Sequence, residues 1–248
     1  VFQFKSRNQR EYQKFLQPDN IEHLIAANAL IRPGPMASKA HRDFVDIKDG
    51  KKLSDFDKGM EEVVKDTYGL YIYQEQIMQA MVVGGMSLSE ADAVRTIIKH
   101  FNKEDMKKFK DKFIKGIIKI HKYEKKDAEI VWNKLMAFSS YGFNRSHSCA
   151  YAIMGYWCQF LKVYYAKEFW MANLEYANEE DRVDYINRIL LSYLKEVNLV
   201  YPDINRSKIR FTLDGKEIVW SLSRIKGVGE KAALAIIKAR KDKNFKLI

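Results

Sequence analysis

The chain has 248 residues, 47% of them hydrophobic and 30% charged, with a net charge of +11 and a pI near 9.4. That is enough to bury a sizeable core, and it fits one large domain or one with a small satellite. Two cysteines, Cys149 and Cys158, exclude a disulfide framework and point to a reduced, cytoplasmic setting.

The positive charge is uneven. Lys and Arg stand against Asp and Glu as 14 to 14 over residues 1–100, 14 to 7 over 101–170 and 15 to 11 over 171–248. A polyanionic partner is therefore expected against the middle and the end, with a solvated lysine face as the alternative. The chain opens at Val1 with no signal peptide and closes in a lysine-rich tail, so it reads as cut from something longer.

The pattern is mostly helical. Ile21–Leu30 has helical spacing, and Arg32-Pro33-Gly34-Pro35 then predicts a rigid turn, because two prolines around a glycine do not continue a helix. Lys48–Asp57 is polar and reads as a loop. A helix is expected from Gln74 to Val83, ended by Gly84-Gly85, and Ser87-Leu88-Ser89-Glu90 is a capping box opening the next. That helix carries Arg95 and Lys99, four apart on one face and able to hold a triphosphate from one side, or else part of a solvated basic face.

Asn102 is a plausible cap for a helix with the stripe Met106, Phe109, Phe113, Ile117 and with lysines off it. A further helix carries Ala128, Val131, Leu135 and Phe138. The apolar run from Cys149 to Ala166 contains Gln159 and Lys162 and reads as a buried core helix, not a membrane span. Val183, Ile186, Leu190 and Leu194 mark one face of a last long helix. Beyond Pro202, Lys208–Leu213 and Lys216–Trp220 flank Asp214-Gly215 as a β-hairpin.

Two turns carry chemistry. Tyr141-Gly142-Phe143-Asn144-Arg145-Ser146-His147 places polar side chains at a helix N-terminus, where backbone N–H groups, the helix dipole and Arg145 suit a phosphate. Tyr141 and Phe143 are able to stack on a base. Equally, Ser146 reads as a helix cap and His147 as a satisfied polar residue. Lys226-Gly227-Val228-Gly229-Glu230-Lys231, a glycine turn between two short helices, resembles a helix-hairpin-helix, whose backbone grips duplex phosphates without reading sequence. A glycine-capped helical corner is the plainer alternative. His147, Cys149 and Cys158 do not suit one zinc ion, since Cys158 falls three helical turns, about 16 Å, beyond His147.

Taken together, these words resemble the bacterial C-family replicative DNA polymerases, the DNA polymerase III alpha subunits. The matching words include Val1-Phe2-Gln3-Phe4, Arg32-Pro33-Gly34-Pro35, Thr67-Tyr68-Gly69, Tyr73-Gln74-Glu75-Gln76, Phe143-Asn144-Arg145-Ser146-His147, Pro202-Asp203-Ile204-Asn205 and Ile225-Lys226-Gly227-Val228-Gly229. The resemblance implies a mainly α fold: a helical fingers domain over 1–177, a connecting α+β segment with a β-hairpin over 178–220, and over 221–248 the first, truncated helix-hairpin-helix of a DNA-binding tandem.

It implies that Arg32, Arg95, Lys99, Asn144, Arg145, Ser146 and His147 face the dNTP phosphates. Tyr73, Gln74, Tyr141 and Phe143 would face base or template, and Lys226, Gly227, Val228, Gly229 and Lys231 the DNA backbone. The implied partners are primer–template DNA, dNTP, palm and thumb domains and other replisome subunits, with no membrane. Arg95-Thr96 and His100 depart from the family's paired arginines and Gly-Lys-Lys word, which puts triphosphate binding by that helix in doubt. Phosphoryl transfer requires Mg²⁺ on paired carboxylates, which the family takes from a palm outside this chain. Asp55-Phe56-Asp57 has the spacing but not the surrounding motif. The chain alone is expected to be inactive. A non-catalytic helix-hairpin-helix DNA-binding or scaffold protein is the alternative.

Overall fold

The computed structural model describes residues 3–100, 103–139, 142–191, 197–241 and 244–246, with side chains for all of these but 97–100, 103–105 and 191. It is mainly α, with a small three-stranded sheet near the C-terminus. The chain divides into two compact units, Val1–Gly155 and Tyr156–Ile248.

The first unit holds two cores. One is built by α1 (Arg7–Leu16), α2 (Ile21–Leu30) and α4 (Ala40–Lys48), with Leu16, Leu30, Phe44, Val45 and the strap residues Ile72 and Tyr73 all but fully buried. Ser6 and Asn20 cap α1 and α2 by accepting the N–H of Gln9 and His23. The other is built by α6 (Gln74–Val83), α7 (Leu88–His100), α8 (Lys103–His121) and α9 (Lys125–Ser139). Here Phe113, Ile117, Val131 and Leu135 are buried, as the stripes predict, and Lys107, Lys108, Lys112 and Lys115 are exposed.

Gly84-Gly85 ends α6 in a Schellman motif. Met86 N–H donates to Met81 O at 3.1 Å and Gly85 N–H to Val82 O at 2.8 Å, with Gly85 at φ +86° and both methionines in the core. Ser87 and Glu90 make the capping box reciprocally, Glu90 accepting Ser87 N–H at 2.9 Å and Ser87 Oγ accepting Glu90 N–H at 3.3 Å. Lys112 pairs with Glu90 and, with the Ser87 bonds, holds that carboxyl down at about 2.

Pro33 and Pro35 do end α2, but they also begin a short helix, α3 (Pro33–Ala37). A proline in the first turn forfeits no intrahelical bond, because that N–H has no acceptor there. Between these elements lie α5 (Glu61–Val64) and a 3₁₀ turn, Lys65–Thr67. Residues 49–57 are irregular, as their polarity predicts. Asn102, expected to cap α8, lies outside the described residues.

In α10 (Arg145–Tyr164) the expectation of a buried core helix fails. Ser148 and Ala152 are buried, but Tyr156, Trp157, Phe160, Leu161, Val163, Tyr164 and Tyr165 are exposed by 42–69%. Apolar composition states that a helix suits burial; whether anything covers it depends on neighbours that hydropathy does not count. No helix among the described residues is long and apolar enough to cross a membrane.

In the second unit α11 (Ala166–Tyr176) and α12 (Glu179–Leu191) pack with the sheet around Trp170, Leu174, Ile189, Phe211 and Ile218. The α12 stripe is rotated from the one expected. Val183 and Leu190 are 58% and 64% exposed; Ile186 faces inward as expected, but its companions there are Arg182, Tyr185 and Ile189. The reason is Arg182, whose guanidinium turns in to donate to Leu174 O and Ala177 O, satisfying carbonyls at the end of α11. Leu194 lies outside the described residues.

The hairpin is present but shorter than predicted. β2 (Thr212–Asp214) pairs antiparallel with β3 (Glu217–Val219), and Gly215 turns at φ +59°. A strand not foreseen, β1 (Asn198–Val200), adds parallel to β3, giving the order β1-β3-β2.

Candidate nucleotide and nucleic-acid interface

The Phe143–His147 turn is fastened to the Tyr73–Gln76 word. Phe143 N–H donates to Ile72 O at 3.1 Å, and Gln74 N–H to Phe143 O at 2.9 Å, a single parallel bridge between distant segments. Gln74 Nε2 donates to Gly142 O at 2.9 Å. Buried Gln76 accepts Ile72 N–H and Tyr73 N–H through Oε1, at 2.7 and 2.9 Å, and donates through Nε2 to Val63 O and Thr67 Oγ1. It thereby fixes the strap on which the turn is laid. Glu75 accepts Arg145 N–H through both carboxylate oxygens at 3.0 Å, so an internal anion already sits at the start of α10.

Around that point several of the expected side chains converge. Asn144 accepts His147 N–H at 2.7 Å as the helix cap, and Asn144, Ser146 and His147 are exposed. His147 rests edge-on against Phe143 and approaches Gln3 Nε2 at 3.3 Å. Arg32, at the start of α3, lies over the Phe143 ring at 4.7 Å, and Arg145 lies 5.7 Å from the Tyr73 ring centre. Tyr73 itself is 1% exposed with its hydroxyl buried and unpartnered, and burial keeps that phenol neutral. Arg145 Nη2 donates to Glu22 Oε2 at 2.7 Å and lies 3.8 Å from Asp66 Oδ2. Nothing in the sequence pattern singles out Glu22 or Asp66, because neither belongs to a motif. Arg95 pairs with Asp92 on its own helix at 2.8 Å. Tyr141 and the side chain of Lys99 lie outside what the structure describes.

The glycine turn lies in the second unit. Leu222–Arg224 forms a 3₁₀ turn where the hairpin motif predicts a short helix, and α13 (Glu230–Ala239) follows. Gly227 adopts φ +87°, which favours glycine, and Val228 N–H closes the turn on Ile225 O at 2.9 Å. Gly229 caps α13 with no side-chain capping hydrogen bond, and a Cβ built at either glycine meets nothing within 4 Å. Lys226 and Lys231 flank this open helix N-terminus and are exposed. Behind it the Pro202–Asn205 word acts as a clasp. Asp203 accepts the N–H groups of Asn205 and Arg206, Asn205 exchanges two bonds with the Phe245 backbone at 2.9 Å, and Arg240 Nη1 donates to Ile204 O at 2.8 Å.

Asp55 and Asp57 do not fit the role of metal-binding pair. Lys134 Nζ lies 2.7 Å from Asp57 and 3.9 Å from Asp55, and the Tyr71 hydroxyl also donates to Asp57. Asp57 is thus engaged within the protein, while Asp55 stands 91% exposed beside it.

Residues 1–121 match the family model of the bacterial DNA polymerase III alpha subunit finger domain, and residues 196–248 match a helix-hairpin-helix motif. The DNA polymerase III subunit alpha of Aquifex aeolicus is 37% identical over 250 residues, that of Campylobacter jejuni 39% over 254, and that of Bacillus subtilis 34% over 253. Each alignment covers 99% of this chain but only 21–22% of the relative. The chain thus spans about a fifth of the length of the curated relatives it matches. With finger-domain and helix-hairpin-helix regions in the order its own motifs follow, the chain belongs to the bacterial DNA polymerase III alpha family.

Proposed function

We propose that residues 1–177 act as the fingers of a template-directed DNA polymerase, receiving the dNTP triphosphate at the start of α10, and that the turn at Gly227–Gly229 grips the backbone of the primer–template. Residues 178–220 connect the two. The observation that carries this reading is the convergence of Arg32 and Arg145, from separate elements, on one exposed helix N-terminus that also presents Asn144, Ser146 and His147. Arg95, Lys99 and Tyr141 complete the nucleotide face in this reading. A palm domain elsewhere in the polypeptide would supply the carboxylates for Mg²⁺, which would polarise the reacting phosphate, with the thumb as a further partner domain; this chain's part is to bind and orient the triphosphate. Other replisome subunits and a cytoplasmic setting belong to the same proposal.

In the full polymerase, Arg145→Ala is expected to lower kcat/KM for dNTP by about tenfold to a hundredfold, the worth of one charge-assisted bond to phosphate. Steady-state primer extension measures it, and wild-type kinetics would return Arg145 to a structural ion pair. A second reading, a non-catalytic DNA-binding module, is favoured by one observation, that Arg145 is already paired with Glu22. It predicts duplex binding with no dNTP dependence.

The DNA grip has its own test. Gly229 has φ −78° and open space around it, so Gly229→Val adds bulk without backbone strain, whereas Gly227 at φ +87° does not allow that separation. Duplex affinity measured by anisotropy is expected to drop about tenfold, with an unchanged melting curve and a steep loss of wild-type affinity with salt. Undiminished affinity in the variant would refute the backbone contact.

A further inference from the structure

Arg145 meets any incoming phosphate with its charge already engaged. Glu22, in the first turn of α2, takes its Nη2 at 2.7 Å; Asp66, in the 3₁₀ turn Lys65–Thr67, lies 3.8 Å from the same nitrogen; Glu75, in the first turn of α6, takes its backbone N–H. Asp66, Glu75 and Arg145 line a cleft of about 590 Å³ together with Glu62 and Tyr73. Three carboxylates against one guanidinium leave this cluster net negative. A triphosphate must therefore compete with these carboxylates for Arg145.

The three acids do different work. Glu75 binds a backbone amide through both oxygens and so holds the turn itself. Among the described residues Glu22 binds only the guanidinium, across a pair whose side chains are 35% (Glu22) and 40% (Arg145) exposed. A bond of that kind is weak enough to be exchanged for a phosphate oxygen. Its partner is the group that would leave with the nucleotide. Each partner of Arg145 sits on a different element, so small movements among α2, α6 and α10 change which anion the guanidinium meets.

We propose that Glu22 is a competing internal anion for Arg145, holding the arginine in a carboxylate-paired state and setting the dNTP concentration needed to draw it onto the triphosphate. This rests on the reading of Arg145 as a triphosphate ligand and adds a positioning residue to it. Removing the Glu22 charge frees Arg145 and favours nucleotide, by about two- to fivefold for a half-exposed ion pair.

The test uses the full polymerase carrying this chain, with Glu22→Gln, Arg145→Ala and the double variant assayed by primer extension over a range of dNTP. Glu22→Gln is expected to lower the KM for dNTP about two- to fivefold, the change falling on KM more than on kcat, and to do nothing in the Arg145→Ala background. A raised or unchanged KM overturns the proposal, since Glu22 would then orient Arg145 productively or not act on it. So does an equal drop in both backgrounds, which would mark a general field effect. Asp66→Asn, on another element and at the longer distance, is expected to shift KM the same way but less, so a folding defect at one position does not decide the outcome. If Arg145→Ala alone has wild-type KM, the triphosphate reading falls and Glu22's role falls with it. If Arg145→Ala raises KM while Glu22→Gln is inert, only the role of Glu22 is lost.

Discussion

Gly116→Val is expected to destabilise the first unit by about 2–3 kcal/mol, seen as a lower melting temperature by circular dichroism. Gly116 lies in the middle of α8, where glycine is less favourable than alanine by about 1 kcal/mol. On propensity alone a larger residue would help. Packing reverses the sign. A Cβ at Gly116 would stand 1.8 Å from Gly84 O, at the C-terminal end of α6, and one at Gly84 would stand 2.4 Å from the Phe113 ring. The obstacle at Gly116 is backbone, which does not swing aside as a flexible side chain would. The helices must part, and Phe113, Ile117 and Met81, all fully buried, lose contact with them. A melting temperature equal to that of wild type would mean that the two helices separate freely.

In the second unit the largest single loss is expected from Glu175→Ala, about 2–3 kcal/mol in urea unfolding followed by tryptophan fluorescence. Glu175 is 8% exposed; its Oε2 accepts Phe211 N–H at 3.0 Å and its Oε1 accepts Arg224 Nη2 at 3.2 Å. Arg224 also donates to Glu175 O at 2.8 Å. One side chain thereby ties α11 to the residue that leads into β2 and to the 3₁₀ turn that leads into the glycine motif. Alanine leaves the buried Phe211 amide without its acceptor and takes the carboxylate from the half-exposed Arg224 guanidinium, which keeps only its bond to Glu175 O. Glu175→Gln keeps an oxygen for one of them and should fall between wild type and alanine. Equal stability for all three would show that water replaces the carboxylate without cost.

Helix positions were legible wherever a local signal ends or begins them. The end of α2 follows from the proline turn and the end of α6 from the glycine pair, and the capping box at Ser87–Glu90 forms as written. The stripes of α8 and α9 point inward as their period requires. The exposed aromatic stretch of α10 and the rotated face of α12 were not legible. The first depends on what lies beside the helix, and the second on Arg182 choosing the carbonyls of α11 over solvent. β1 escaped notice because three residues of strand carry too little alternation to register.

For the candidate site the division is similar. The sequence by itself determined the family, the order of finger and hairpin regions, and the turn on which Asn144, Arg145, Ser146 and His147 stand, because each is written in a run of adjacent residues whose backbone needs are local. The tertiary structure alone decided what those groups meet. Gln74, Glu75 and Gln76 turn out to be the fastening of the turn, Arg32 arrives over Phe143 from another element, and Glu22 and Asp66 take up the charge of Arg145. Electrostatic pairing acts through space over a few ångströms, and the spacing of residues along a chain does not record which carboxylate will end beside which guanidinium.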